Sequence, residues 1–160
     1  MNVPVAHNDN DTLINSFVQV CRESGLKVTH QRIEIYRELM ESHDHPSAEL
    51  LHKRLAEKMP TISLDTVYRT LATLEQYGLV SRIQTAGSLA RFEAVTTPHH
   101  HLICSKCNNI ADFHWPILET FELPASVEQW GQIKSKNIVV YGICSNCLHK
   151  KRQVQASCGL

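Results

Sequence analysis

In the first half of the chain, apolar residues recur at helical spacing between well-marked stops. Leu13, Ile14, Phe17, Val18 and Cys21 fall on one helical face, and Gly25 ends the run. Thr29 is placed to cap a second helix carrying Ile33, Tyr36 and Met40. Ser47, after Pro46, caps a third with Ala48, Leu51, Leu55 and Met59 inward, and Pro60 breaks it. Ser63 caps a fourth. There Leu64, Val67, Leu71 and Leu74 form the core stripe, Asp65, Arg69 and Ala72 point away from it, and Tyr68 sits at the edge. Gly78 closes that helix. Leu79–Ile83 and Leu89–Glu93, joined by a turn over 84–88, then read as a two-stranded hairpin. Helices followed by a hairpin predict a winged helix, a relative of the helix-turn-helix.

The second half changes character. Short β-rich runs (Leu102–Ile103, Asn109 to Phe113, Asn137 to Ile143) alternate with one helical stretch from Ile117 to Trp130, which Pro124 interrupts or restarts. Such a small unit has little core of its own, and a zinc staple or a dimer partner is the usual remedy at this size. The expected fold class is therefore α+β. A winged-helix domain spans 1–92, with residues 1–10 as a disordered lead. A hinge covers 93–98, and a small α/β domain covers 99–160.

Charge works against an easy functional assignment. The chain carries 16 basic and 16 acidic residues, whereas most DNA-binding domains have a basic footprint. Residues 1–92 alone hold 10 Lys/Arg against 11 Asp/Glu. Any DNA affinity must come from placement, from doubling in a dimer, or from charge added by bound metal. No apolar run approaches a membrane span. Met1 to Asn10 lacks the basic and apolar segments of a signal peptide, so a cytoplasmic protein with reduced thiols is expected.

Those thiols carry the sharpest signal. Cys104-x2-Cys107 and Cys144-x2-Cys147 are matched pairs separated by 36 residues. Each pair suits a tight knuckle presenting two sulfurs to one ion, and four thiolates on zinc leave no open position, so the site is structural. A redox dithiol, an iron–sulfur cluster and four unrelated thiols are the alternatives. Cys21 reads as a small buried hydrophobe, and Cys158 as an incidental free thiol.

Beside the first pair stands His99-His100-His101. In an extended segment His99 and His101 face the same side, while His100 faces the other and reads as a supporting or solvent-facing residue. Glu93 precedes them, Asp112 follows in the next strand, and His45 sits before the third helix. Imidazoles with carboxylates suit an exchangeable ion such as Fe(II) or Mn(II). A solvated His-rich loop is the bland reading, and His43, His52, His114 and His149 are assigned to the surface. Tyr68 and Arg69 could be ordinary half-exposed residues. An outward Arg on a helix after a short turn is, however, what reads guanine in a major groove.

These residues resemble a known family. Gly25-Leu26-Lys27-Val28-Thr29-x-x-Arg32, His45-x-Ser47-Ala48-Glu49, Thr66-Val67-Tyr68-Arg69-Thr70-Leu71 and Gly78-Leu79-Val80 are similar to the DNA-binding domain of Fur-family metalloregulators. Arg91-Phe92-Glu93-x-Val95-Thr96-x-x-His99-x-His101-x-Ile103-Cys104-x-x-Cys107-x-x-Ile110-x-Asp112-Phe113 resembles the hinge and sensing segment, closest to the PerR peroxide-sensor branch. Tyr141-Gly142-x-Cys144-x-x-Cys147 is similar to the second zinc knuckle. The resemblance covers roughly residues 12 to 149.

It implies a homodimeric repressor of operator DNA. Structural zinc would sit on Cys104, Cys107, Cys144 and Cys147, and Fe(II) or Mn(II) on His45, Glu93, His99, His101 and Asp112. Lys27 would approach the minor groove, and Tyr68 and Arg69 the bases. Peroxide would oxidise His45 or His99 and release the DNA. Two departures point instead to iron sensors: Glu93, where peroxide sensors have Asp, and Arg69, where they often have Asn. Asp112 points back to peroxide sensors. Pro98 and Asn137 stand where an additional iron-sensor site would need ligands.

In chemical terms, a metal held by His45 on the helical domain and by His99, His101 and Asp112 on the other would fix the angle between domains. In a dimer that sets the spacing of two recognition helices against half-sites on the duplex. The rival classes are a non-haem metalloenzyme and a zinc-stapled interaction module. No substrate pocket is suggested for the first, and the second has no need of the Tyr68–Arg69 face. No small-molecule substrate beyond the metal ion and peroxide is expected.

Overall fold

The computed structural model describes residues 9–85, 89–94, 97–133 and 136–150. It divides into two compact units, 1–95 and 96–160. The first holds helices α1 (Asp9–Glu23), α2 (His30–Glu41), α3 (Ala48–Lys58) and α4 (Leu64–Gln76), then strands β1 (Val80–Ile83) and β2 (Arg91–Ala94). All three predicted caps form. Thr29, Ser47 and Ser63 accept from the backbone amides of Arg32, Leu50 and Thr66, satisfying donors the first turn would otherwise leave open. Gly25 and Gly78 stop α1 and α4 at φ 69° and 70°. The following amides reach back, Leu26 to the Cys21 carbonyl at 2.8 Å and Leu79 to Leu74 at 2.9 Å.

The helices bury one continuous core of Phe17, Cys21, Ile35, Leu39, Leu51, Leu55, Val67, Leu71 and Leu74, closed by Val80 and Phe92 from the hairpin. Phe17 stacks on Tyr36 with ring centroids 4.2 Å apart. Three details differ from the sequence pattern. The inner face of α2 is Ile35, Tyr36 and Leu39, with Ile33 and Met40 only partly buried. Leu64 stays 36% exposed. Buried Ile62 fills that end of the core, and the α4 stripe runs instead through Thr70. Asp9 and Asn10 are helical although they fall in the expected disordered lead. The rest of that lead, 1–8, and turn residues 86–88 lie outside the described residues, as does Cys158.

The second unit is a three-stranded sheet in the order β4–β3–β5, with β3 at His100–Cys104, β4 at Ile110–Phe113 and β5 at Val139–Gly142. β3 pairs antiparallel with β4 and parallel with β5. The predicted long helix is two short ones, α5 (Pro116–Thr120) and α6 (Ala125–Glu128). Pro124, which lacks an amide donor, stands at the start of the second. Residues 145–150 are helical.

Candidate functional site

Strand register assembles the four thiols. Parallel pairing sets Cys104 beside Gly142, two residues ahead of Cys144. The first knuckle turns back on itself: Asn108 adopts φ 56°, and its amide donates to the Cys104 carbonyl at 2.9 Å. Ser105 donates to the Gly142 carbonyl at 2.8 Å, locking one knuckle to the other. The Cys144 amide donates to Cys104 Sγ at 3.3 Å. Cys147 follows in the helical segment over 145–150.

All four sulfurs lie within 4.8 Å of one another, and Cys107 and Cys144 are 3.7 Å apart. Four ligands about 2.3 Å from a tetrahedral zinc are spaced roughly 3.8 Å from each other, so the cage fits that ion. Protonation tells the same story. Backbone amides of Cys144, Cys107 and Lys106 pull the Cys104 thiol down to about 6. Cys147, hydrogen-bonded to Cys107, Cys144 and Cys104, is pushed up to about 12. Four thiolates cannot share this space without a cation.

The imidazole residues fall into two sets, one on each unit. On the second unit, antiparallel register places His101 directly opposite Asp112. His101 Nε2 lies 3.6 Å from Asp112 Oδ1, and His99 Nε2 lies 3.9 Å from it. His99 Nδ1 contacts the Thr97 carbonyl at 2.8 Å. A carbonyl only accepts, so Nδ1 carries the proton and Nε2 presents its lone pair. The two Nε2 atoms converge at 3.1 Å, close to the edge of roughly 3 Å that an octahedral ion with bonds near 2.1 Å would impose. His100 occupies the opposite face, as expected. It is buried rather than solvent-facing, because its ring packs on its cross-strand neighbour Phe113 and its Nδ1 accepts from the Ile138 amide.

On the first unit, His45 Nε2 and Glu93 Oε2 are 3.1 Å apart. His45 adopts φ 48° in the segment between α2 and α3, a conformation side-chain-bearing residues seldom take. Its surroundings hold it there. The Phe92 amide donates to the Pro46 carbonyl at 3.0 Å, and Arg91 reaches the His45 carbonyl at 3.5 Å. Arg54 on α3 donates to Ser42 Oγ and to both carboxylate oxygens of Asp44. Sequence reasoning missed this clamp, since ten residues separate its partners and no periodicity marks them.

Tyr68 and Arg69 stand exposed on α4, as expected. Arg69 pairs with Asp65 at 3.4 Å, one helical turn earlier, and Tyr68 donates to Glu49. Lys27 and Arg69, with Arg32 and several threonines, line one polar cleft of about 330 Å³. Tyr68 lies instead along a neighbouring groove with Arg82 and Leu89. Sequence reasoning also missed the Asp65–Arg69 pair, although its i, i+4 spacing is the signal that would have found it. Glu49 carries no such signal, because its partner is on another helix.

Residues 23–141 match the ferric uptake regulator family. The chain is 36% identical over 126 residues to the peroxide-responsive repressor PerR of Staphylococcus epidermidis, which covers 79% of this chain and 84% of that one. It is 34% identical over 134 residues to the peroxide operon regulator of Bacillus subtilis, covering 84% and 92%. Among solved structures, the Helicobacter pylori ferric uptake regulator Fur, described as having three functional metal binding sites, superposes with a TM-score of 0.70. That match is at 25% identity, over 92% of this chain and 97% of that one.

Proposed function

The chain belongs to the ferric uptake regulator family, and from that premise we propose how it works as a metal-responsive repressor. A dimer binds operator DNA when Fe(II) or Mn(II) is held by His45, Glu93, His99, His101 and Asp112. Peroxide then oxidises a ligand histidine and ends repression. Residues 1–92 bind DNA, 93–98 act as the hinge, and 99–160 dimerise and sense. The observation that carries the reading is the contrast between two donor sets: a four-sulfur cage that zinc would saturate, and converging imidazole and carboxylate atoms suited to an exchangeable ion.

Zn(II) on Cys104, Cys107, Cys144 and Cys147 would hold the second unit together. The two carboxylates would balance the charge of a dication held at the regulatory site. Bound Fe(II) would supply the reductant for peroxide chemistry. The residues themselves orient the ligand nitrogens, as Thr97 does for His99. No helix among the described residues is long and apolar enough to cross a membrane. Leu102, Val140, Tyr141 and Ile143 stay exposed on and beside the outer strand β5, which supports a second copy of the chain as the partner.

Mass spectrometry of Fe-loaded protein after dilute peroxide tests the sensing step, with one added oxygen expected on His45 or His99. Glu93→Asp, which shortens the carboxylate, should increase that oxidation at equal dose while metal-dependent DNA binding persists. If wild type and variant both stay unoxidised with Fe(II) bound, the peroxide step fails. The iron-responsive repressor that Glu93 and Arg69 favour then replaces it. Arg69→Ala should weaken specific binding by about 1–3 kcal/mol, the size of a bidentate guanine contact, with a smaller change on random DNA. Equal losses on both would make Arg69 a phosphate contact.

The Arg54 clamp gives a further expectation. Arg54→Ala should weaken Mn(II) binding by about 10- to 100-fold, as loss of a ligand's supporting contacts does, and Arg54→Lys should not rescue it, because lysine lacks the fork. Titration calorimetry reads both. Arg54 holds the Asp44 carboxyl below its usual range. The folded value is therefore depressed. The clamp's contribution is complete above the unfolded carboxylate pKa and is lost as pH falls through the folded one.

A further inference from the structure

Tyr68 is 43% exposed, yet its hydroxyl is committed. Oη donates to Glu49 Oε1 at 2.5 Å. Chemistry fixes the direction of that bond. Glu49 stands in the first turn of α3, where the positive end of the helix favours an anion. The Tyr68 hydroxyl, the Glu49 amide and Ser47 together hold its carboxyl below the ordinary value. An ionised carboxylate only accepts, and a phenol has a single proton to give. With that proton turned inward, the outward side of Oη offers lone pairs alone. It has nothing to donate to a phosphate oxygen. It can accept from an exocyclic amine at a base edge, adenine N6 or cytosine N4. Arg69, next along the helix, has the opposite character. Asp65 touches one of its nitrogens, and a guanidinium carries five N–H donors.

We infer that Glu49 is a positioning residue for DNA recognition: it locks the Tyr68 hydroxyl so that Tyr68 meets base edges as an acceptor and is barred from the phosphate backbone. The inference rests on the reading of α4 as the base-reading helix. With Arg69 beside it, α4 then presents a donor side chain and an acceptor side chain to successive base edges.

Binding-site selection from a randomised duplex pool with Mn(II) present tests this, using wild type, Glu49→Ala, Tyr68→Phe and the double variant. Glu49→Ala should relax the preference at one base-pair position by about three- to tenfold, the net worth of one hydrogen bond. Affinity for random duplex should not fall, since a negative charge has gone. Tyr68→Phe should relax the same position, and removing Glu49 in that background should change nothing further. Glu49→Gln, whose Oε1 still accepts, should restore the preference. The proposal is overturned if Glu49→Ala relaxes specificity equally in the Tyr68→Phe background, or if Tyr68→Phe selects the wild-type sites. Arg69→Ala separates the two levels. If it too selects wild-type sites, α4 does not read bases and the parent reading fails as well. If it relaxes a different position while Glu49 and Tyr68 prove uncoupled, only this inference falls.

Discussion

Replacing Cys104 with Ser is expected to unfold the second unit and abolish dimerisation while the first unit keeps its helices. Burial explains the asymmetry. Among the described residues, the first unit buries Phe17, Ile35, Leu39, Leu51, Leu55, Val67, Leu71 and Leu74 with their neighbours. Among its described residues the second buries only Ile103, Cys104 and Ile110 as apolar side chains. Three strands with so few inward residues cannot offset the entropy of ordering the chain. In such a unit the free energy of metal binding is folding free energy. Cys104 is also the residue through which the knuckles meet, because its sulfur accepts from the Cys144 amide and its strand pairs with Gly142. Serine keeps the size but supplies neither thiolate nor zinc affinity. Zinc content by elemental analysis, size-exclusion chromatography and far-ultraviolet circular dichroism should show zinc loss, monomer, and retained helical signal. A strong chelator should act on wild type in the same way. A zinc-free variant that remains a stable dimer would remove the structural role assigned to the cage.

What could be read from the sequence depended on how local its physics is. Three helix starts were legible because a capping hydroxyl satisfies an amide three residues on, and Thr29, Ser47 and Ser63 each do so. The thiol cage was legible because each half is a local knuckle and only the closing of two matched pairs is long-range. His99 and His101 were paired by strand alternation alone. The inner face of α2 was only partly legible, because Ile33, Tyr36 and Met40 fit helical spacing as well as Ile35, Tyr36 and Leu39 do. Which set is buried is decided by where α1 and α3 lie. His100 was left as either supporting or solvent-facing by the same alternation rule, which says that it faces away from His101 but not what covers that side. Phe113 and Ile138 cover it. The supporting contacts were least visible: Arg54 to Asp44 and Tyr68 to Glu49 join residues on different elements, and nothing in the local pattern marks them.

His101→Ala should remove the regulatory response and leave the fold of the second unit standing. His101 is the most buried of the described imidazoles, at 2% exposure, and sits opposite Asp112 in register. Its Nε2 lies 3.1 Å from that of His99 and 3.6 Å from Asp112. Losing it removes a donor from the centre of the set, not from its rim, and Mn(II) affinity should fall by more than the roughly 10- to 100-fold that supporting contacts are worth. The consequence for DNA follows by linkage. If each ion couples to DNA by about 1–3 kcal/mol, two ions in a dimer contribute about 2–6 kcal/mol, and DNA must tighten metal binding by the same amount. Mn(II) titrations with and without selected duplex should therefore differ for wild type and coincide for the variant. Asp112→Asn, which keeps the shape and removes the charge, guards against a packing artefact. It should weaken Mn(II) binding with the sheet intact. Zinc content should be unchanged in both variants, because the cage lies at the other end of β3, at Cys104. A His101→Ala protein that still needs Mn(II) for DNA binding, at wild-type concentrations, would show that the ion acts elsewhere.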